Sequence, residues 1–363
     1  MLLKRINNWF QHAKKYFFTY KDGFFELSYL DNSPKALVES FMKMPFVTHN
    51  KQEQTLTTNN TFVEGILHYQ ELEEGLWVIY SEMTYKANIR YKTFYDEYIP
   101  CDYFNLNYHI TVNEVSASPN GKGVVFPTKT NSWAIYKHKA HKNAIDYFNF
   151  KNAYATDISI YFNEDWVEKN LKNDPLFIQS KLNDFFKSDL SYVIWPETSS
   201  IYDSSIKDLQ ATVQTKGISG VSNLLRLKMD AIGLLSTFIE KYKTENIHEK
   251  HYEIPNSDRL RVLKIERFLC ENLEKKFDGI DALADKFNVS PTKLKNDFKL
   301  MYGKPIFQYF QEKQMLLAKE TMETGDIRIK ELAYKFGYEN AGKFSLAYKK
   351  HFNVLPSEQL KSS

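Results

Sequence analysis

The feature that most limits what this chain can fold into is a pattern that occurs twice between Gly279 and Ser357. The first copy runs from Gly279 to Phe298 and the second from Ile327 to Phe352. Each opens with a short apolar-periodic helix carrying the pair Leu-Ala, at Leu283-Ala284 and again at Leu332-Ala333. A tight turn follows, and then a second helix rich in Lys. The small Ala stands where the two helices of a unit must approach closely. Asn288 and Gly337 can take the left-handed conformation such a turn needs. Each copy therefore reads as helix, turn, helix.

With Leu283, Ala284, Ser290-Pro291, Leu294 and Phe298 in the first copy, and Ile329, Leu332, Ala333, Gly337-Tyr338, Phe344, Phe352 and Pro356-Ser357 in the second, the stretch resembles the DNA-binding domain of AraC/XylS-type transcription regulators. Gly303 and Pro305 sit where that family joins its first unit to a long central helix. The resemblance covers roughly the last hundred residues. It departs from the family at Asn353, where Gly is usual, and at Gln314-Met315, where Arg is frequent. Asn tolerates positive φ, so the first departure is mild. The second removes a charge from the central helix.

The resemblance implies two recognition helices. Ser290 caps the first, with Pro291 at its first position, where a missing N–H costs nothing. Leu294 and Phe298 point inward, leaving Thr292, Lys293, Lys295, Asn296 and Lys299 outward. By the family alignment Thr292, Lys295 and Asn296 face base edges, and Lys293 and Lys299 face phosphates. The chemistry suits these roles, because Lys donates to guanine O6 and N7 and Asn pairs with adenine N6 and N7. A merely solvated Lys face is the bland alternative. The second recognition helix starts near Asn340, a fitting N-cap, with Phe344, Tyr348 and Phe352 inward. Its outer positions are Ala341, Gly342, Lys343, Ser345, Leu346, Lys349 and Lys350. The expected DNA contacts of this unit are Asn340, Lys343, Ser345 and Lys349. Ala341, Gly342 and Leu346 offer no side-chain hydrogen bonds, so this unit is expected to supply mainly phosphate contacts and shape fit. The central helix, about Pro305 to Glu323, would hold the two recognition helices about one turn of DNA apart.

Charge follows the same division. The formal net charge of the 363 residues is only +3. From Asp258 onward there are 20 Lys+Arg against 15 Asp+Glu, leaving 28 against 30 before it. A modestly basic tail on a near-neutral head fits DNA binding, as it fits an ordinary solvated basic surface. The two cysteines, Cys101 and Cys270, lack a second Cys or His at metal spacing and read as reduced thiols. The first ten residues do not form a signal peptide, since charge breaks the apolar run at once. No stretch approaches the ~20 apolar residues of a membrane span. A cytoplasmic location follows as the expectation.

The head reads differently. Residues 2–20 have helical spacing with a basic face, suiting a helix docked on its own domain or one lying on a membrane surface. Ser33 and Pro34 read as the start of a helix running toward Pro45. From Thr61 short apolar segments alternate with turns, at 84–95, 103–115, 123–127, 132–138, 145–150 and 155–163, with a strong turn at Pro119-Asn120-Gly121. They predict a β-sandwich or barrel, and the family resemblance makes a cupin-like effector barrel plausible here. His49, His68, His109, His138 and His141 are scattered, so neither a metal site nor a catalytic site is expected, and no cofactor is implied. The chain is 15% aromatic. Aromatics on an inner face could stack on a small ligand or simply form a core. Residues from about 163 to 212 return to helical spacing. Leu224, Leu227, Ala231, Leu234, Leu235, Phe238 and Ile239 then form one stripe, suited to packing on the head or to pairing with a second copy.

The expected fold is α+β: an N-terminal sandwich or cupin-like barrel with flanking helices, then an all-α domain of two helix-turn-helix units. The expected divisions are residues 1–240 for effector binding or dimerisation, 241–257 as a polar linker, and 258–363 for DNA binding. The expected function is that of a bacterial, non-enzymatic, sequence-specific transcription regulator. Its partners would be double-stranded promoter DNA, a small-molecule effector, a second copy, and RNA polymerase if it activates; no membrane partner is expected. The alternatives are an enzyme domain tethered to DNA and a structural DNA-binding protein without an effector.

Overall fold

In the computed structural model the described residues are 4, 6–8, 19–116, 125–137, 145–179, 181–188, 190–196, 203–214, 221–244, 253–324 and 327–362. Most of the expected N-terminal helix, the turn at Pro119-Asn120-Gly121, His138, His141 and the centre of the expected linker lie outside them. The chain divides into two compact units. One comprises 1–112 and 130–253, the other 113–129 and 254–363.

The first unit begins with β1 (Tyr20–Lys21), β2 (Phe24–Leu30), α1 (Pro34–Phe41), β3 (Val47–Asn50), β4 (Thr55–Asn59), β5 (Val63–Glu73), β6 (Leu76–Tyr85) and β7 (Ile89–Phe94). It continues with β8 (Tyr103–Ser116) and β9 (Val125–Lys137), of which residues 113–116 and 125–129 are counted in the second unit, and with β10 (Asp146–Asn149), β11 (Ala153–Asn163), α2 (Glu164–Asn170), α3 (Pro175–Ile178), α4 (Lys181–Lys187), β12 (Tyr192–Pro196), α5 (Asp203–Gln214) and α6 (Val221–Thr244). α1 starts as its sequence predicts. The Ser33 hydroxyl accepts from Ala36 N at 3.2 Å, and Pro34 occupies the first turn.

The strands form two sheets. The smaller has the order β1-β2-β7-β10, and the larger β12-β9-β8-β11-β6-β5-β4-β3. The β2–β7 pair is parallel. The period of two in a strand explains how the layers assemble. On β6, Leu76, Val78 and Tyr80 point to one side, while Trp77, Ile79 and Met83 point to the other. On β11, Ile158, Ile160 and Phe162 oppose Tyr161 in the same way. Ile79 and Tyr161 pack with Tyr29 and Tyr91 of the small sheet, so the two sheets face each other as a sandwich. The other side of the large sheet is covered by Leu182 and Phe185 of α4, Leu209 and Val213 of α5, and Leu227, Ala231, Leu234 and Phe238 of α6.

Two segments differ from their sequence reading. The described parts of the segments 123–127 and 132–138, read as separate strands, belong to one strand, β9 (Val125–Lys137), because a polar middle does not interrupt a ladder held by backbone bonds. The span read as helical from 163 to 212 contains β12, whose Tyr-Val-Ile-Trp run has strand propensity and pairs with β9.

Apart from those strand ends the second unit is helical: α7 (Asn256–Glu271), α8 (Ile280–Lys286), α9 (Pro291–Tyr302), α10 (Ile306–Thr324), α11 (Ile329–Lys335), α12 (Ala341–Phe352) and α13 (Pro356–Ser362). One core of Ile265, Leu283, Leu294, Phe298, Met315, Leu332, Phe344 and Tyr348 joins α7 through α12. Ser257, a capping residue type next to this helix start, does not cap α7. The helix starts two residues earlier than a Ser257 cap would set it, behind Pro255, with no side-chain cap.

Candidate nucleic-acid interface

Each pair, α8–α9 and α11–α12, is set by the same turn. Asn288 has φ 50° and Gly337 φ 75°. The N–H of the following residue then bonds back to the buried Leu-Ala pair, from Val289 to Ala284 O at 3.0 Å and from Tyr338 to Ala333 O at 2.9 Å. This is the Schellman arrangement, which satisfies a helix-end carbonyl and turns the chain sharply. Gly337 is the stricter of the two positions. A Cβ there would lie 2.5 Å from Lys276 N and 2.8 Å from its Cα, so backbone blocks it.

The second helix of each pair is capped at both ends. Ser290 Oγ accepts from Lys293 N at 3.3 Å, and Asn340 Oδ1 from Lys343 N at 2.9 Å. Gly303 (φ 73°) and Asn353 (φ 62°) end the helices in the left-handed region. Leu294 and Phe298, like Phe344 and Tyr348, are buried. Two half-exposed helices therefore project from one core.

The outer face of α9 carries exposed Thr292, Lys295, Asn296 and Lys299. Lys293 is placed differently from its expected outward position. Its Nζ lies 3.0 Å from Asp297 Oδ2 and 3.1 Å from Asp258 Oδ2, bracing α9 against α7. Partial burial pulls its pKa down, but hydrogen bonds to Asp297 and Asp258 outweigh that and hold it above the ordinary lysine value. Asp297, only 1% exposed, was the unread half of this pair. Its spacing from Lys293 was visible, but its burial was not. On α12, Lys343 and Lys349 are exposed and Ser345 is half-buried. Lys343 pairs with Glu339, and Asn340 spends its side-chain oxygen on the cap. Lys350 and Leu346 complete the exposed surface.

Gln314, noted for its missing charge, is 3% exposed. Its Nε2 donates toward Leu273 O (2.8 Å), Lys275 O (3.2 Å) and Phe336 O (2.9 Å). It thus fastens α10 to the ends of α7 and α11 and does not face outward. Tyr309 Oη and Cys270 Sγ both donate to Glu266 Oε1, at 2.7 and 3.2 Å, inside the same core. Burial pushes the Cys270 thiol up and the Cys101 thiol to about 12, so neither supplies a thiolate near neutrality.

Residues 283–362 match the family model described as "Helix-turn-helix domain". The C-terminal region is a helix-turn-helix domain of the AraC type. The chain is 29% identical over 79 residues to a protein of Proteus vulgaris described as "Probable transcription factor PqrA"; the match covers 22% of this chain and 65% of that one, just under two thirds. Among solved structures, the C-terminal domain of the response regulator AraT from Geobacillus stearothermophilus is similar at 23% identity. That likeness covers 28% of this chain and 85% of that C-terminal domain's chain, with a TM-score of 0.28. ToxT from Vibrio cholerae is similar over 79% of this chain and 98% of its own, at 15% identity and a TM-score of 0.27.

In the sandwich, His109 Nδ1 lies 2.7 Å from Asp157 Oδ1 and its Nε2 meets the Thr111 hydroxyl, so both ring nitrogens are engaged. Among the described residues no group of three or more His, Cys, Asp or Glu could hold a metal ion, and no helix is long and apolar enough to cross a membrane.

Proposed function

We propose that the protein is a sequence-specific DNA-binding transcription regulator, with residues 258–363 as its DNA reader, 1–240 as its regulatory head and 241–257 as the linker. The observation that carries this reading is the duplicated, doubly capped helix whose outer face presents Lys, Thr and Asn while its inner face is buried. An exposed helix of this shape fits the major groove. On α9, Thr292, Lys295 and Asn296 meet base edges and Lys299 meets a phosphate. Lys293 serves first to set the angle of α9 and adds positive potential beside the groove. On α12, Lys343 and Lys349 take phosphates, with Asn340 and Ser345 at the rim.

The head senses a small molecule between its two sheets. Support comes from Asn105, 5% exposed, whose Oδ1 has no hydrogen-bond partner among the described residues. Strand alternation puts it on the face opposite Phe104 and Leu106, toward the tyrosines between the sheets. Val221, Leu225, Met229 and Ile232 leave an exposed apolar strip on α6, which pairs with a second copy. The protein acts in the bacterial cytoplasm, without catalysis of its own, and engages RNA polymerase if it activates. The test is selection of the full chain on random duplexes at two salt concentrations. An enriched motif with half-patterns about one helical turn apart is the expected result. Salt-sensitive binding without any enriched motif would replace the reading with a structural role.

A further inference from the structure

The two recognition helices are a repeat, and the repeat differs at one telling position. Their N-caps are Ser290 and Asn340, their inward pairs Leu294/Phe298 and Phe344/Tyr348, and their left-handed ends Gly303 and Asn353. This registers Asn296 of α9 on Leu346 of α12. Each stands two residues from both members of its inward pair, about 200° away around the helix, and therefore at the summit of the outer face. The first unit places an amide there. The second places a leucine side chain that is 69% exposed.

The surroundings of Leu346 indicate what covers it. Exposed Lys349 and Lys350 flank it, with Lys343 a turn earlier. One turn before it on the same face stands Gly342, where an added Cβ would meet only Asn340 Oδ1 at 3.3 Å. The core does not require a glycine there, yet its absence of a side chain leaves the helix surface low in front of the leucine. An apolar summit with a shallow approach and a cationic rim matches a groove lined by phosphates with an apolar group on its floor. In duplex DNA the major groove offers one such group, the C5 methyl of thymine.

Resting on the proposed DNA-reading role, we infer that Leu346 is a specificity-determining residue that reads thymine methyl groups, so that the half-site under α12 is selected by apolar contact while α9 selects by hydrogen bonds. The second unit then does more than hold phosphates, and the reader combines two unlike kinds of discrimination.

The experiment uses the full chain and the duplex enriched from the random pool. In one series each thymine of the half-site under α12 is replaced by deoxyuridine, which removes only the C5 methyl. Wild-type protein should lose about fourfold in affinity for each contacted methyl. Leu346→Ala should bind the thymine duplex more weakly and be indifferent to the replacement. The same replacement under α9 should leave the two proteins equally affected. Equal wild-type binding to thymine and deoxyuridine duplexes would overturn the inference while leaving the regulator reading intact. So would an equal loss by wild type and Leu346→Ala. A Leu346→Ala protein that binds DNA normally but no longer alters transcription would assign the leucine to a protein partner. Failure to bind any duplex would remove the DNA-reading role and this inference together.

Discussion

At the scale of single residues, the interface is decided by a few positions where backbone conformation and contact coincide. Gly337 has positive φ and a backbone neighbour where its Cβ would be. Gly337→Ala should therefore cost at least ~2 kcal/mol, from left-handed strain plus displacement of Lys276. Asn353→Gly, at φ 62° with an exposed side chain, should be close to neutral. Urea unfolding monitored by circular dichroism compares the two, and equal losses would show that the turn geometry is not what matters. Lys295 and Lys349 form a second contrast. Lys295→Ala should reduce discrimination between the best site and a single-base variant by ~1–3 kcal/mol. Lys349→Ala should weaken binding to all duplexes alike. Fluorescence anisotropy on matched and mismatched duplexes separates these outcomes.

At the scale of elements, packing assigns a purpose to each face of a helix. α6 shows this most clearly. Leu234, fully buried under the large sheet, and Met229, 73% exposed, lie five residues apart. Leu234→Ala should destabilise the head by ~2–5 kcal/mol. Met229→Ala should leave unfolding nearly unchanged and shift only self-association, measured by analytical ultracentrifugation. Glu73 links elements electrostatically. Its carboxylate accepts from Lys228 Nζ of α6 at 2.6 Å and from Trp166 Nε1 of α2 at 2.7 Å. The hydrogen bonds from Lys228 and Trp166 hold its pKa below the ordinary 4.5. A carboxylate with a lowered folded pKa contributes stability that is present above its unfolded pKa and lost as pH falls through the folded value. Glu73→Gln should therefore destabilise the head at neutral pH and flatten its acid unfolding below pH 4.5. A parallel acid transition in both proteins would refute this account.

At the scale of the whole molecule, the modest net charge of +3 makes the proposed DNA binding depend on where the Lys side chains are held. Log affinity should fall linearly with log salt, and Lys349→Ala should reduce that slope by about one phosphate's worth. Lys293 is tied to Asp258 and Asp297, so its replacement should alter affinity through the angle of α9 more than through the salt slope. A slope change for Lys293→Ala equal to that of Lys349→Ala would mean that its ion pairs open on binding.

The sequence by itself determined what is local. Ser290 with Pro291, Asn340, and the left-handed Asn288, Gly337 and Asn353 mark helix ends because capping and positive φ depend on a residue and its near neighbours. The inward stripes of α9 and α12 follow from helical period alone. Strand segments were legible by alternation, but their grouping into two sheets was not, since pairing joins residues far apart in the chain. Only tertiary structure decided that Asp258, thirty-five residues before Lys293, would claim its ammonium group, that Gln314 would fasten three carbonyls, and that one face of α6 would be buried while the other stayed open. These outcomes turn on burial, which sets the strength of a charge pair or an amide bond, and burial is a property of the assembled fold.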